Sequence, residues 1–315
     1  MDPVIAGADP VRAGAVPVAA NALPVVDLGV IGGSGLYDLD ALERRREFEL
    51  PTPFGPASDK VIMGVLHGVR VAFLPRHGRG HTLLPSEVNY RANIWLLKRL
   101  GARFVLSVSA VGSLSEEVAP GHLVCPDQLI DRTYKRHNTF FGEGVVAHVP
   151  FGDPFDTALR ALLLASARRV ATTPVHDGGA YVCIEGPTFS TRAESNLFRA
   201  AGARVIGMTN LPEARLAREA ELAYATLALS TDYDCWHEGH DAVTVEAVVA
   251  VMRANISQAR AVVEAFCADL APRLGDPFPS HTALAGGAAI MTRRDLIPAE
   301  TRARLEPIIG RYLNP

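Results

Sequence analysis

Apolar runs alternate with stretches of helical spacing along most of the chain. Short runs rich in β-branched and aromatic residues predict strands, and apolar residues three or four positions apart predict amphipathic helices. The predicted strands are Val25–Ile31, Lys60–Leu66, Val69–Pro75, Arg103–Ser109, Leu123–Ile130, Gly179–Glu185, Arg204–Gly207 and the run that leads into Asp232. The predicted helices are Pro85–Gly101, Asp156–Val170, Thr191–Ala200, Pro212–Ala223, Glu246–Leu270 and Pro298–Tyr312. This alternation predicts a mixed α/β sheet flanked by helices.

Composition divides the chain into three parts. Residues 1–24 are rich in Ala, Pro and Val and are predicted to form a flexible lead-in, with an arm packed on a neighbouring subunit as the alternative. Residues 25–271 carry the alternating strands and helices and form the predicted main domain. The composition shifts after Pro272, so residues 272–315 are predicted to be a C-terminal extension.

The overall composition is that of an ordinary globular protein. Hydrophobic residues make up 48% and charged residues 21% of the 315, and the net charge of -3 gives no argument for a nucleic-acid or membrane partner. The chain has no apolar run of membrane-spanning length, and its N-terminus does not read as a secretory signal. The four cysteines form no CxxC pair, so they predict reduced thiols in the cytoplasm rather than a metal site.

Small polar and basic residues follow three of the predicted strands. Ser34 lies in a GGSG loop where a backbone could approach a phosphate, although a plain tight turn is the alternative. Arg76 and His77 open the run RHGRGH, which suits an anion but could also be a solvated basic turn. Ser109 and Ala110 follow the next strand. Because sites in α/β sheets form at strand ends, these residues are expected to converge.

The run LALSTDYDCW ends in two carboxylates, Asp232 and Asp234. On an extended chain their side chains would point the same way. Two like charges at such a short distance raise the pKa of at least one of the groups. A carboxylic acid that keeps its proton near neutral pH can give it to a leaving group. The alternative is a cap or a solvated turn. His148, in an apolar run, is by its surroundings more typical of a hydrogen-bonded core residue.

Nine ordered runs match one family. From about Val26 to about Leu270 the chain resembles the trimeric purine nucleoside phosphorylase superfamily, and within it the 5′-methylthioadenosine phosphorylases. The runs are GGSG (32–35), TPFG (52–55), RHGRGH (76–81), VNYRANIW (88–95), GSLSEEVAPG (112–121), QLIDRT (128–133), IEGPTFSTRAES (184–195), MTNLPEA (208–214) and TDYDCW (231–236). The resemblance implies a single-domain mixed sheet, partly barrel-like and flanked by helices.

The resemblance also implies a role for each candidate residue. The implied phosphate site comprises Ser34, Arg76, His77, Ser109, the Ala110 backbone and Thr209. The implied nucleoside site places Met208 under the ribose, Phe189 on the purine face, Ser190, Asp232, Tyr233 and Asp234 around the base, and His148, Val245 and Val249 beside the 5′ substituent. Asp232, Arg76 and His77 are the implied catalytic residues.

The implied reaction is phosphorolysis of methylthioadenosine, with phosphate as co-substrate and no metal or organic cofactor. Ser190 and Asp232 indicate adenine, because the 6-oxopurine members of the superfamily resemble this chain but carry glutamate and asparagine there. The implied assembly is a homotrimer or a dimer of trimers. The alternatives are a broader purine nucleoside phosphorylase acting on inosine, guanosine or methylthioinosine, a hydrolytic nucleosidase, and a catalytically silent nucleoside-binding protein.

Overall fold

Strands and helices alternate along the folded chain. The computed structural model describes residues 23–33, 35–237 and 245–313, without the side chains of 245–250 and 252. In these residues the strands are β1 (Leu28–Gly32), β2 (Glu43–Phe48), β3 (Val61–Leu66), β4 (Val69–Pro75), β5 (Phe104–Ser113), β6 (Leu123–Cys125), β7 (Gln128–Arg132), β8 (Val175–Asp177), β9 (Ala180–Ile184), β10 (Ala203–Gly207) and β11 (Ala223–Asp232). The α-helices there are α1 (Tyr90–Arg99), α2 (Thr157–Val170), α3 (Arg192–Ala200), α4 (Asn210–Glu219), α5 (Val245–Leu270), α6 (Ala299–Arg304) and α7 (Glu306–Leu313).

The strands form one branched, mixed sheet. Its main path runs β2-β3-β4-β1-β5-β10-β9-β7, while β11 pairs with both β5 and β6, and β6 pairs with β8. The pairs β1/β4, β1/β5 and β5/β11 are parallel, whereas β3/β4 and β5/β10 are antiparallel. The predicted mixed α/β sheet flanked by helices is therefore confirmed.

Strand β5 changes one of its neighbours part-way along. Its pairing with β1 covers Phe104–Ser107, and its pairing with β10 begins only at Gly112. Strand β11 stays beside it throughout, so Ser109 and Ala110 are paired on that side. Their other side lies where β1 has ended and β10 has not yet begun. Such a split leaves backbone groups available to a ligand.

Apolar side chains pack on both faces of the sheet. Along β5, Phe104, Leu106 and Val108 belong to the cluster that contains α2 and α5 side chains. Val105 and Val111 belong to the cluster formed with α1, α4 and α7. Because side chains alternate along a strand, the buried hydroxyls of Ser107 and Ser109 lie on the second face. A polar strip therefore runs through the core on the α4 side.

The C-terminal extension packs against the main domain. Leu305, Ile308 and Ile309 are buried in the same apolar cluster as the side chains of α1. Trp95 of α1 donates a hydrogen bond from Nε1 to the carbonyl of Arg304 at 2.9 Å. These contacts fix the extension on one face of the sheet, although its boundary at residue 272 remains a prediction. None of the described helices is long and apolar enough to cross a membrane.

Some predicted elements differ from those observed. The predicted strand Leu123–Ile130 is two strands, because Pro126 has no N–H to continue the ladder and β7 then pairs with β9. Strand β5 does not end at Ser109 but continues to Ser113. The hairpin predicted around His67 and Gly68 is confirmed, and both residues have the positive φ of a two-residue turn.

Candidate functional site

The guanidinium of Arg76, directly after β4, lies in a buried hydrogen-bonding network. It donates to the two carboxylate oxygens of Glu213 at 2.9 and 3.1 Å, to Ser107 Oγ at 2.7 Å, and to the carbonyls of Val108 and Ile31 at 3.0 and 3.1 Å. Burial alone would lower the pKa of Arg76, but the Glu213 carboxylate outweighs burial and the pKa is raised. Arg76 is therefore a fixed positive charge inside the molecule.

His77 is half-buried and neutral. Its Nδ1 lies 2.9 Å from the carbonyl oxygen of Leu83, so Nδ1 carries the ring hydrogen. Burial and the charge of Arg76 lower the pKa of His77 to about 4. The ring stacks on His81 with 4.3 Å between centroids. In this tautomer Nε2 presents a lone pair, which accepts a hydrogen bond rather than donating one.

Two hydroxyls meet where β5 changes its neighbour. Ser109 Oγ lies 3.0 Å from Thr209 Oγ1 and 3.2 Å from the hydroxyl of Tyr181. Ser109 and Thr209 are buried, whereas Ala110, the next residue of β5, is exposed. Since Arg76 binds the carbonyl of the residue before Ser109, the structure brings together four of the residues predicted for phosphate: Arg76, Ser109, Ala110 and Thr209.

The carboxylate of Asp232, the last residue of β11, lies over Gly112 of β5. A Cβ at Gly112 would be 2.9 Å from Asp232 Oδ1, so only glycine leaves room for the carboxylate there. Oδ2 accepts from Thr231 Oγ1 at 2.7 Å, and Oδ1 accepts from the Asp234 N–H at 2.8 Å. Burial raises the pKa of Asp232 despite these two hydrogen bonds, and the charge of Asp234 adds to the rise. The environment therefore makes Asp232 a weaker acid than an exposed aspartic acid.

Asp234 is reached through a turn rather than along the strand. Strand β11 ends at Asp232, and Asp234 has a φ of 52° and opens the short 3-10 helix Asp234–Trp236. The premise that both carboxylates lie on an extended chain is therefore wrong, although the two residues remain hydrogen-bonded neighbours. Ser190 Oγ lies 2.9 and 2.7 Å from the two oxygens of Asp234, so it donates to that carboxylate.

The predicted purine and ribose contacts lie on neighbouring segments. Phe189, beside Ser190, is 51% exposed, so its ring is available for stacking. Met208 follows β10, and its Sδ would be 2.5 Å from a Cβ at Gly186. Met208 therefore packs against the loop that carries Phe189. Tyr233 has its ring stacked on His237 with 4.7 Å between centroids.

One buried arginine that was not predicted holds the Met208 segment. Arg136 donates to the carbonyls of Met208 at 2.7 Å and Leu211 at 2.6 Å, and from Nε to Glu185 at 3.1 Å. Glu185 also accepts from the backbone N–H of residue 134 at 2.6 Å. Residues 208 and 211 flank Thr209, so this ion pair fixes a segment of the site. Its two members lie near matched runs, but their 49-residue separation hides the contact in the sequence.

Three of the predicted residues cannot be placed, and a fourth, His148, contacts a different part of the chain. Ser34 and the side chains of Val245 and Val249 are outside the described residues. His148 is exposed, and its N–H donates to the carbonyl of Ala289 in the C-terminal extension at 3.0 Å. His148 is thus neither buried in the core nor, by its described hydrogen bonds, joined to Asp232.

The site therefore has two halves on one strand. Ser109 adjoins the arginine and hydroxyls, and Gly112, three residues later, lies beneath Asp232. At about 3.3 Å per residue, the two halves are roughly 10 Å apart, which suits a ligand with an anion at one end and a flat polar ring at the other. Among the described residues, no group of three or more His, Cys, Asp or Glu could hold a metal.

Comparison with known proteins gives a consistent set of matches. A family model described as "Phosphorylase superfamily" matches residues 27–268. An S-methyl-5'-thioadenosine phosphorylase of Geobacter sulfurreducens is 55% identical over 287 residues, covering 91% of this chain and 99% of that protein. The protein of the same name from Chloroflexus aurantiacus is 55% identical over 286 residues, covering 90% and 98%.

Solved structures show the same likeness in three dimensions. A methylthioadenosine phosphorylase from an antarctic soil metagenomic library superposes with a TM-score of 0.86 at 48% identity, covering 90% of this chain and 99% of the other. Methylthioadenosine phosphorylase from Schistosoma mansoni in complex with adenine superposes with a TM-score of 0.77 at 37% identity, covering 86% and 100%.

Proposed function

This chain belongs to the phosphorylase superfamily, and from that membership we propose that it catalyses phosphorolysis of 5′-methylthioadenosine. The products are adenine and 5-methylthioribose 1-phosphate. Relatives that carry this activity in their names, similar over nine-tenths of the chain, support the substrate. The observation that carries the proposal is the spacing on β5, where Ser109 adjoins Thr209 and Gly112 lies beneath Asp232.

At the phosphate end, Arg76 supplies charge and the hydroxyls supply hydrogens. Among the described residues, Nη2 of Arg76 meets three acceptors with two hydrogens, and Nη1 meets one, so Nη1 keeps a hydrogen for a phosphate oxygen. Ser109 and Thr209 donate from their hydroxyls, and Ser34 is proposed to do the same. Neutral His77 accepts a hydrogen bond from the protonated oxygen of the phosphate at Nε2.

At the base end, the two acids recognise an amino-bearing purine. Asp232, whose pKa is raised by burial, donates a proton to N7 as negative charge builds on the departing base. Asp234 accepts a hydrogen from the 6-amino group while Ser190 fixes its orientation. A 6-oxo group offers no hydrogen there, so its oxygen would face the half-buried Asp234 carboxylate, one acceptor against another, without a hydrogen bond.

The chemical step exchanges one bond at the anomeric carbon for another. The C1′–N9 bond breaks first, its electron pair leaves with adenine, and the ribose takes on oxocarbenium character. A phosphate oxygen then forms the new C1′–O bond. Adenine takes the proton of Asp232, and the proton lost by the phosphate restores that acid. The proposed reaction uses no metal or organic cofactor.

Adenine release from methylthioadenosine, measured with and without phosphate, tests the proposal. We expect release that depends on phosphate and yields 5-methylthioribose 1-phosphate. Release that ignores phosphate would instead identify a hydrolytic nucleosidase, and tight nucleoside binding without turnover a silent binding protein. A higher kcat/KM for inosine than for methylthioadenosine would contradict the base assignment and point to a broader purine nucleoside phosphorylase.

We also propose a homotrimer in which the 5′ pocket is shared between subunits. His148 is exposed within its own chain, as are Val146 and Met291, whose backbones are hydrogen-bonded to each other. These side chains would border the methylthio group of a neighbouring subunit's substrate, with Val245 and Val249 of that subunit. Light scattering should give a trimer or a multiple of it, and His148→Ala should raise the KM for methylthioadenosine severalfold. A fully active monomer would contradict this assembly.

We further propose a cytoplasmic location, because all four cysteines are free thiols. Detection of the protein outside the cytoplasmic fraction of lysed cells would count against it.

A further inference from the structure

Tyr181 of β9 carries a buried hydroxyl whose chemistry the proposed reaction does not yet use. The side chain is fully buried and lies in the apolar cluster of the α4 face. Its hydroxyl approaches β10 so closely that a Cβ at Gly207 would be 2.0 Å from Oη. A buried phenol hydroxyl needs polar partners; Ser109 Oγ lies 3.2 Å from it, and Thr209 is a further hydrogen-bonding neighbour.

The direction of that hydrogen bond follows from the acidity of the groups. Burial is the main cause that raises the pKa of Tyr181 to about 12, so the phenol keeps its hydrogen at neutral pH. A phenol is a better donor than an aliphatic hydroxyl, so the hydrogen between Tyr181 and Ser109 belongs to Tyr181. Ser109 Oγ then accepts from Tyr181 and can donate its own hydrogen, for which the carbonyl of Ala110 is an acceptor at 3.3 Å.

An anion in this site can only accept hydrogens from the two hydroxyls. Without a donor behind Ser109, Thr209 would satisfy Ser109 Oγ with its own hydrogen across the 3.0 Å contact. The pair would then offer one hydrogen to the anion. When both hydroxyl hydrogens turn from Ala110 O and from each other towards the anion, the Tyr181 hydroxyl still donates to Ser109 Oγ and keeps that oxygen hydrogen-bonded.

We infer that Tyr181 is a positioning residue of the phosphate site, which directs the hydroxyl hydrogens of Ser109 and Thr209 towards the bound anion. This inference rests on the proposed function, because it assumes that phosphate binds at these hydroxyls. Tyr181 does not touch the substrate; it acts through Ser109. Its removal should therefore weaken phosphate more than nucleoside.

Tyr181→Phe removes one oxygen atom and leaves the packed ring in place. We expect the KM for phosphate to rise about tenfold, the scale of one lost hydrogen bond. The KM for methylthioadenosine at saturating phosphate should change less than about twofold. Tyr312→Phe, which removes a hydroxyl from the C-terminal extension, is the matched control and should leave both constants unchanged. Equal rises in both KM values would mean a merely structural role and overturn the inference.

A double-mutant cycle tests whether Tyr181 acts through Ser109. Once Ser109→Ala has removed the relay, adding Tyr181→Phe should change the KM for phosphate by less than about twofold. Independent, multiplying effects of the two substitutions would contradict the inference.

Calorimetric titration of the free protein with inorganic phosphate separates this inference from the proposed function. If adenine release is phosphate-dependent but Tyr181→Phe binds phosphate like the wild type, only the role of Tyr181 fails. If release ignores phosphate, the proposed function fails, and the titration still decides about Tyr181. Weaker phosphate binding by Tyr181→Phe would support its positioning role, and no phosphate binding by the wild type would end it.

Discussion

The pKa of Asp232 is set by two neighbouring residues and by burial. Thr231 and the Asp234 N–H donate to its oxygens and favour the carboxylate, while burial and the charge of Asp234 favour the acid. Burial has the largest effect, so the pKa is raised. Gly112 makes the arrangement possible, since any side chain there would meet the carboxylate. The raised pKa makes the Asp232 carboxyl group suited to act as a proton donor.

Asp232→Asn should lower kcat/KM for methylthioadenosine by roughly a hundredfold or more, the usual scale for losing a general acid. The activity that remains should move in preference towards a 6-oxopurine nucleoside, because the amide NH2 carries two hydrogens and can donate to O6 as well as to N7. Wild-type kcat/KM should fall as the pH rises through the raised pKa of Asp232, and the variant should lose that limb of the pH profile.

Asp27→Asn is a suitable control for this substitution, because Asp27 pairs with Arg70 outside the site. It should leave both the rate and the pH profile as in the wild type. An Asp232→Asn variant that keeps the wild-type pH profile would show that another group supplies the proton.

Strands and helices that contain apolar runs could be predicted from the sequence. Strands whose extent depends on their pairing with other strands could not. The runs VIMGVL and VRVAFLP predict a hairpin, and in the structure they form the antiparallel pair β3 and β4. Strand β2, ERRREF, is exposed at five of its six positions, so no apolar alternation marks it. The sequence predicts that strand β5 ends at Ser109, because its residues give no sign that β10 becomes its neighbour at Gly112.

The same limit applies to the site. The sequence assigns roles to Arg76, Ser109, Thr209 and Asp232, but not to the residues that hold them in place. Glu213, Arg136 and Tyr181 meet their partners across 137, 72 and 72 residues of chain, so only folding reveals these contacts. The sequence therefore predicts residues proposed to face the ligand, but it does not reveal the groups that hold them.

Arg136→Lys tests how strongly the Met208–Leu211 segment depends on its anchor. A lysine is a point charge and cannot hold the carbonyls of Met208 and Leu211 together with Glu185. We expect kcat/KM for methylthioadenosine to fall about 10-fold to 100-fold at a temperature well below the Tm, the scale on which a small misplacement of reacting groups acts. Steady-state kinetics on the purified variant measures the change.

Arg132→Lys, at the exposed end of β7, is the control and should have wild-type kinetics. Arg136→Met should also unfold more easily, by about 3–5 kcal/mol, because it leaves Glu185 buried without its cation. Wild-type kinetics in Arg136→Lys would show that the segment holds its shape without the arginine.

At the scale of the whole molecule, a buried acid ties the loop after β7 to the end of α4. Glu219 accepts from Thr139 Oγ1 at 2.7 Å and from the Phe140 N–H at 2.6 Å. Burial nevertheless raises its pKa from 4.5 to about 7. Because the folded state prefers the protonated form, this group's contribution to stability is full below about pH 4.5 and is lost as the pH rises through about 7.

Glu219→Gln should therefore gain stability relative to the wild type as the pH rises from 5 to 8, by up to about 3 kcal/mol. Urea unfolding at several pH values measures the difference. Glu194→Gln is the contrast, because hydrogen bonds from Thr191 lower the pKa of that exposed acid below 4.5. Its contribution to stability is lost only at pH values below about 4.5, so this variant should keep a constant difference from the wild type between pH 5 and 8. A difference between Glu219→Gln and the wild type that does not vary with pH would contradict this account.

Because one unbroken strand carries both Ser109 and Gly112, the gap between anion and base is set by covalent geometry. Loop movements can open or close the site, but they cannot change this distance. A bisubstrate mimic whose linker matches the ribose should gain affinity from both ends at once. Adding or removing a single methylene in that linker should cost the affinity that one of the two ends, the anion or the base, contributes.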